Sequence, residues 1–313
     1  MLRMVMGNLM TLTAVLALSA CSASGTEGNE VGDGQGATGA GGGSGPGPGP
    51  GPGTGGGSVI TFGGQMGGGP GPGPNGGAVR CDNKLTGVIR DFDPMTHKDF
   101  EPANPMLPGR TKQSISEPGI VQATIGPDFK PLYAKDPATG SLTTYGQPWF
   151  DAWFRDTPGI NMSTNYTIEF TDDCRPGLMN CANGDGVFTF DNGGKQFFPI
   201  DGAGLGNWQP YLAGLHNYHF TYELHAKFIY RRGMVFTFSG DDDVWVFVGG
   251  RLVVDIGGVH PKTTQGVNLD QLGLAPDTEH QLDFFWAERQ VAQSNFRIDT
   301  SMEFTDCDLD IPR

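Results

Sequence analysis

The stretch Ser239–His260, SGDDDVWVFVGGRLVVDIGGVH, constrains the fold more than any other part of the chain. A run of β-branched and aromatic residues, Val244 to Val248, leads into Gly249-Gly250, and a second β-rich run, Arg251 to Ile256, follows. Two strand-forming runs joined by two glycines predict a tight hairpin, because its turn needs positive φ. Val244, Val246 and Val248 fall on one face of the first strand, Trp245 and Phe247 on the other. A strand that is apolar on both faces is expected to be central and covered on both sides. Asp241, Asp242 and Asp243 then sit at the mouth of a rigid core hairpin, where a binding loop is best held.

The rest of the chain supplies partners for this hairpin. Leu85–Phe92, Asn165–Phe170, Met234–Phe238, Gln281–Trp286 and Asn295–Phe304 all read as strands. The strongest alternation runs from His219 to Tyr230. Phe220, Tyr222, Leu224, Ala226, Phe228 and Tyr230 share one face, while Thr221, Glu223, His225 and Lys227 share a face expected to be wet. Pro148–Asp156 is the best helical candidate, with Trp149, Ala152 and Trp153 at helical spacing. Many short strands, Gly/Pro turns and almost no helix predict an all-β fold, an antiparallel β-sandwich with a short helix or two.

Composition divides the chain. Of 313 residues, 51 are Gly and 23 Pro, and most of that excess lies before Cys81. Residues 1–21 read as a signal segment, with Arg3 and a short apolar run from Leu9 to Leu18. That run is too short to span a membrane. Leu18-Ser19-Ala20-Cys21 resembles the bacterial lipobox, in which Cys21 becomes the lipidated N-terminus, and Ser22 resembles the residue that sends such lipoproteins to the outer membrane. An ordinary signal peptide cut near Ala20 is the alternative. Residues 22–80 are Gly/Pro-rich and cannot bury enough apolar surface to offset their ordering entropy, so a disordered tether is expected. Fully extended it would span about 190 Å, and as a random coil about 45 Å. Val59-Ile60-Thr61-Phe62 is its one sticky patch. The sandwich domain is expected over residues 81–313. A formal net charge of −14 argues against nucleic acid, whose binding needs a basic footprint.

Several pieces carry a family resemblance. Asp241-Asp242-Asp243-Val244-Trp245-Val246-Phe247, the Gly250-Arg251-Leu252-Val253-Val254-Asp255 turn and strand, and Gly257-Gly258-Val259-His260 resemble the signature of the fibro-slime domain family. Family-like pieces recur in order at Val88–Phe92, His97–Phe100, Phe197–Asp201, Asn217–Thr221, Ala287–Arg289 and Ser294–Phe296. That family is related to the protective-antigen-type β-sandwich of bacterial toxins, glycosidases and flocculin adhesins. The resemblance implies carbohydrate recognition and surface adhesion.

With Cys21 assigned to lipid, Cys81, Cys174, Cys181 and Cys307 remain. An even number in an exported protein predicts two disulfides, with three possible connectivities. Cys174–Cys181 as a local loop and Cys81–Cys307 as an end-to-end staple are the favoured pair. The sequence holds no CxxC pair of the kind a zinc site uses.

The adjacent carboxylates Asp241, Asp242 and Asp243 repel one another unless a cation or hydrogen-bond donors compensate. Ca²⁺ takes six to eight oxygens, which clustered acids and an amide oxygen can supply. The adhesin resemblance implies calcium on an Asp pair, Asp241-Asp242 or Asp242-Asp243, with the ion in turn holding sugar hydroxyls. Asn295 is the candidate amide ligand, and Glu288 a further ligand-binding candidate, from the loop between the last two strands. The competing reading is a strand-entry turn whose acids cap backbone N–H groups or pair with Arg251 or Arg289. Trp208 and Tyr211 offer rings for sugar stacking or for core packing. His260 reads as a turn histidine or a ligand; His216 and His219 are poorly placed for a shared metal. The oxygens of Asn183–Asp191 could hold a second calcium. No HExxH, Walker or GxSxG motif is present. Asp283 with Glu288 resembles a glycosidase pair only as any two acids do. The leading expectation is a non-enzymatic, lipid-anchored surface protein at the outer membrane whose sandwich binds carbohydrate or matrix polysaccharide with calcium. The alternative is a structural matrix or coat component acting through protein contacts.

Overall fold

A computed structural model describes residues 81, 83–172, 186–208 and 216–307, all within the compact unit Gly57–Arg313. The fold is all-β. Its strands are β1 (Lys84–Phe92), β2 (Asn161–Glu169), β3 (Thr171–Asp172), β4 (Phe188–Phe190), β5 (Phe220–Ile229) and β6 (Val235–Gly240). β7 (Asp243–Val248), β8 (Arg251–Ile256), β9 (Thr263–Asn268), β10 (Glu279–Glu288), β11 (Phe296–Thr300) and β12 (Phe304–Asp306) complete the set. Among the described residues, seven strands form one sheet in the order β2-β1-β5-β10-β7-β8, with β12 beside β5. Five form a second sheet, β3-β4-β11-β6-β9. Every pairing is antiparallel.

The hairpin forms as its residues predict. Val248 faces Arg251 across the turn, and Gly249 and Gly250 adopt φ of 55° and 77°, which carry no Cβ penalty in glycine. β7 is buried at every position. Val244, Val246 and Val248 pack between the sheets with Leu224, Phe284, Trp286, Phe238 and Phe296. Trp245 and Phe247 face the other way, into a separate cluster with Ile120, Val121, Phe150, Trp153, Phe154 and Phe285. The sheet is therefore covered on both sides, one side by the second sheet and the other by chain lying between β1 and β2.

That cover corrects two expectations. The polar face of β5 is not wet: Thr221, Glu223 and His225 are buried. Residues 93–160 lie across them, and Lys130 from this segment pairs with Glu223, as does Arg90 from β1 at 2.6 Å. His225 bridges Glu223 and Asp283, each at 2.7 Å. Pro148–Asp156 is helical only over Gln147–Phe150, because the following residues turn to drive Trp153 and Phe154 into the sheet. β6 lies in the second sheet, so the chain changes sheets where it enters the hairpin.

The segment 93–160 is irregular but pinned from within. Glu117 accepts from the Ser141 hydroxyl at 2.7 Å, the Leu142 and Thr143 amides at 2.9 Å, and the Thr143 hydroxyl at 2.8 Å. These bonds satisfy backbone groups that no strand ladder serves. At the chain ends of the domain, Cys81 and Cys307 form a disulfide, with Cα atoms 5.7 Å apart. The proposed Cys174–Cys181 pair, the Asn183–Asp191 calcium loop up to residue 185, Tyr211, Cys21 and the tether lie outside the described residues.

Candidate functional site

The three acids lie where β6 of one sheet passes into β7 of the other, so their backbone is held from both layers. All three are buried. Asp241 Oδ1 accepts from the Asn295 amide at 2.5 Å, and its Oδ2 from the Asn295 side-chain Nδ2 at 2.8 Å. Asp242 accepts from the backbone amides of His260 and Arg289, each at 3.1 Å. Asp243 accepts from the Gly258 amide and from Arg289 Nε, both at 2.6 Å. Arg289 is fully buried, and its guanidinium also donates to the carbonyls of Asp99 at 3.2 Å and Thr143 at 3.0 Å. It lies over the Trp153 ring, 4.7 Å from the centroid.

Sequence pieces far apart thus converge: the acids, the His97–Phe100 piece through Asp99, the Ala287–Arg289 piece and Asn295. Asn295 does reach Asp241, but it presents its amide nitrogen rather than its oxygen. His260 touches Asp242 through its backbone, while its ring turns to the Pro261 carbonyl at 2.9 Å. Arg251 is not an acid partner; it donates to the Leu272 carbonyl. Trp208 stands apart, edge-on to His219 at 5.5 Å, with its indole N–H buried and unpartnered.

The electrostatics are unbalanced. Asp243, Asp242 and Asp99 act on the guanidinium of Arg289, Asp242 and Asp241 act on Glu288, and among the described residues no salt bridge reaches Asp241, Asp242 or Glu288. Burial drives the Asp242 carboxyl well above the usual carboxylate range; Arg289 opposes this, and Asp243 and Asp241 add to it. Burial raises Asp243 too, against the pull of Arg289. Asp99 is pushed up to about 6 by burial, despite Arg289. Burial likewise raises Glu288 far above normal, and Asp242 and Asp241 raise it further. Neither Glu288 oxygen makes a hydrogen bond of normal geometry. Ser294 and the Gln290 amide pull its pKa down, and the Ser294 hydroxyl also donates to the Phe197 carbonyl at 2.6 Å. A buried carboxyl group beside two others would suit a cation in charge. In position it does not yet form a cage: among the described residues no three His, Cys, Asp or Glu side chains converge as a metal site.

Two features escaped the sequence reading. Arg289 appeared there only as a possible partner of the acids, yet it organises the centre of the site. Glu101, with φ of 58°, accepts from His219 at 3.1 Å, the Val291 amide at 3.0 Å and Gln290 at 2.8 Å, tying three loops beside the acids. Its nearness to the His97–Phe100 piece was the available signal.

No family model matches the chain. The chain is similar to the psi proteins of Dictyostelium discoideum. It is 37% identical to protein psiQ over 230 residues, covering 71% of this chain and 21% of that protein. With protein psiD the identity is 38% over 196 residues (60% and 36%), and with protein psiC 32% over 234 residues (72% and 42%). The chain therefore spans less than half the length of each of these psi proteins. Among solved structures, it is similar to a PA14 sugar-binding domain from an RTX adhesin, with a TM-score of 0.24, 15% identity, and 40% and 78% of the two chains covered. The PA14 domain of an antifreeze protein gives a TM-score of 0.21 at 12% identity, with 27% and 42% covered. No helix among the described residues is long and apolar enough to cross a membrane.

Proposed function

We propose that the sandwich is a carbohydrate-binding module of the fibro-slime type, carried at the surface of the outer membrane by a lipid on Cys21, and that calcium completes its binding site. The observation that carries this reading is the buried group Asp241, Asp242 and Glu288, which no salt bridge reaches among the described residues. These carboxylates are held rigidly at a junction of two sheets, so their repulsion cannot relax by moving apart. A calcium ion would turn that repulsion into attraction, with Asp241, Asp242 and Glu288 as its holders, and would bring open coordination positions for vicinal sugar hydroxyls. Asp243 is already engaged by Arg289 and plays a supporting part. The ligand class rests on the sequence resemblance.

The test is a glycan array read with calcium and with EDTA, paired with melting curves of the full chain. Calcium should raise the melting temperature, since an ion that binds only the folded state contributes about 2.7 kcal/mol at a hundredfold excess over Kd. Asp242→Asn should abolish both the shift and the binding. A calcium-indifferent melting curve, with normal surface binding by Asp242→Asn, would leave the acids as a structural turn. Membrane anchoring is tested separately: Cys21→Ala should release the protein into soluble fractions, and full membrane retention would refute the lipid anchor.

The second reading is a matrix or coat component working by protein contacts. What favours it is that amides of Asn295, His260 and Arg289 already occupy Asp241 and Asp242. An array without hits, alongside self-association in solution, would select it.

A further inference from the structure

Within the segment 93–160, three cations are spent on acids: Lys130 on Glu223, Lys135 on Glu117 at 3.3 Å and Arg155 on Asp128 at 2.8 Å. The other three are Lys98, Arg110 and Lys112, and among the described residues no salt bridge reaches them. They gather around two half-buried rings, Tyr145 and Trp149. The Lys98 ammonium stands 5.7 Å from the Tyr145 centroid and 5.8 Å from that of Trp149, and the Lys112 ammonium 5.1 Å from Tyr145. A ring face attracts a cation through its quadrupole but carries no net charge. These contacts therefore place the ammonium groups without neutralising them.

The platform is rigid. The Tyr145 amide donates to Asp99 at 2.6 Å, and its hydroxyl donates to the Gly109 carbonyl at 2.8 Å and accepts from the Thr111 amide at 2.9 Å. The His97 ring braces Trp149 edge-on at 5.2 Å, and its Nε2 donates to the Trp149 carbonyl at 3.1 Å. Lys112 donates to the Ser141 carbonyl at 2.7 Å. Arg110, between Gly109 and Thr111, is buried; one guanidinium nitrogen donates to the Pro94 carbonyl, while Nε and Nη1 have no hydrogen-bond partner. A buried cation ordinarily has an acid beside it. The acids that act on Arg110 are engaged elsewhere: Asp99 with the Tyr145 amide and the Trp153 indole, Glu101 with His219, Val291 and Gln290, and Asp93 with the Met95 amide.

A formal net charge of −14 makes most of the surface repel polyanions, so three unpaired cations on one segment form a local exception. An acidic sugar answers both features: its carboxylate or sulfate meets the ammonium groups, and its C–H face meets the open part of an aromatic ring. We infer that Lys98 and Lys112, held over Tyr145 and Trp149, form a second binding surface, for an anionic polysaccharide bearing carboxylate or sulfate groups. Arg110 raises the local positive potential from within. The ligand class rests on the carbohydrate-binding reading of the domain, but this surface uses none of the proposed calcium ligands and requires no metal.

The full chain is titrated in EDTA against polygalacturonate, dextran sulfate and uncharged dextran. Both polyanions should bind and dextran should not, and binding should weaken as salt rises, because exposed charges are screened. Lys98→Gln combined with Lys112→Gln should weaken binding about tenfold and leave the melting temperature with the parent, since both side chains are partly exposed. Lys195→Gln with Lys262→Gln removes the same charge from exposed positions elsewhere and should bind as the parent does. An equal loss in that control would reduce the effect to net charge and overturn the site. So would undiminished binding after the Lys98 and Lys112 changes, dextran bound as well as the polyanions, or no binding of either polyanion. Capture by phosphatidylserine vesicles in place of the polysaccharides would give the surface to a membrane and also overturn it. Asp242→Asn should leave polyanion binding in EDTA intact, so this surface and the calcium site fail separately.

Discussion

Arg289 is the side chain on which the site's integrity turns. It is wholly buried, paired with Asp243 at 2.6 Å, and bonded to two carbonyls of the segment that covers the sheet. Burial alone would lower its pKa, but Asp243, Asp242 and Asp99 outweigh that and raise it, so it stays charged. Removing one partner of a buried pair strands the other, at a cost of about 3–5 kcal/mol. Arg289→Met should therefore lower the urea midpoint by that equivalent, and Asp243→Asn in the same chain should recover part of it. Glu288 makes the opposite case, because burial pushes its carboxyl toward the neutral form and among the described residues no cation pairs with it. Glu288→Gln should leave metal-free stability unchanged or raised, while cancelling any calcium-induced rise in melting temperature. At this scale the sequence pointed to the right neighbourhood. The run Asp241–Asp243, Glu288, Arg289 and Asn295 were all in view, but not the division of roles among them. Which acid meets the guanidinium and which is left orphaned depends on sub-ångström placement across two sheets.

β5 shows what an element decides. Its apolar face was legible from alternation alone, and Phe220, Tyr222, Leu224, Ala226 and Phe228 all enter the core. The polar face was expected to meet water and instead meets the 93–160 segment through a charge network. Burial would raise the Glu223 carboxyl, but the His225 hydrogen bond and the charges of Arg90, His225 and Lys130 bring it down to about 2. His225 moves the other way: burial would lower its pKa, but bonds to Asp283 and Glu223 raise it. The depressed acid contributes stability above its unfolded pKa, about 4.3, and loses it as pH falls toward 2. The raised histidine contributes fully below about 6.5, and that contribution is lost as pH rises through its raised value. Melting temperature against pH should thus peak between these limits, with Glu223→Gln flattening the acid limb and His225→Phe the alkaline one. A turn beside the same cover gives a sharper test. Gly258 has φ of 108°, and a Cβ there would collide with the Ile115 carbonyl and the Glu117 amide. Gly258→Ala should cost about 2–4 kcal/mol in chemical denaturation, from strain and overlap together.

At the scale of the whole molecule, the disulfide closes the domain on itself. Cys81 and Cys307 are 226 positions apart, and the Thr86 amide donates to the Cys307 carbonyl at 3.2 Å, which joins the first strand to the end of the last. A native bridge over so long a loop contributes about 2–5 kcal/mol, so Cys81→Ser with Cys307→Ser should melt well below the parent under non-reducing conditions. What the sequence determined by itself was everything set by period and local chemistry. The doubly apolar Val244–Val248 run needs cover on both sides, the Gly249-Gly250 pair makes the tight turn, and many short strands without helices make a β-sandwich. Tertiary structure alone decided what that cover is and what the polar residues under it do. Residues 93–160 carry little period, because irregular backbone is held by specific bonds, such as those of Glu117 and Lys130, and not by a repeating face. Charge pairs between positions such as Lys130 and Glu223, or Asp243 and Arg289, leave no local trace for the same reason: their energy comes from burial and geometry that exist only once the chain has folded.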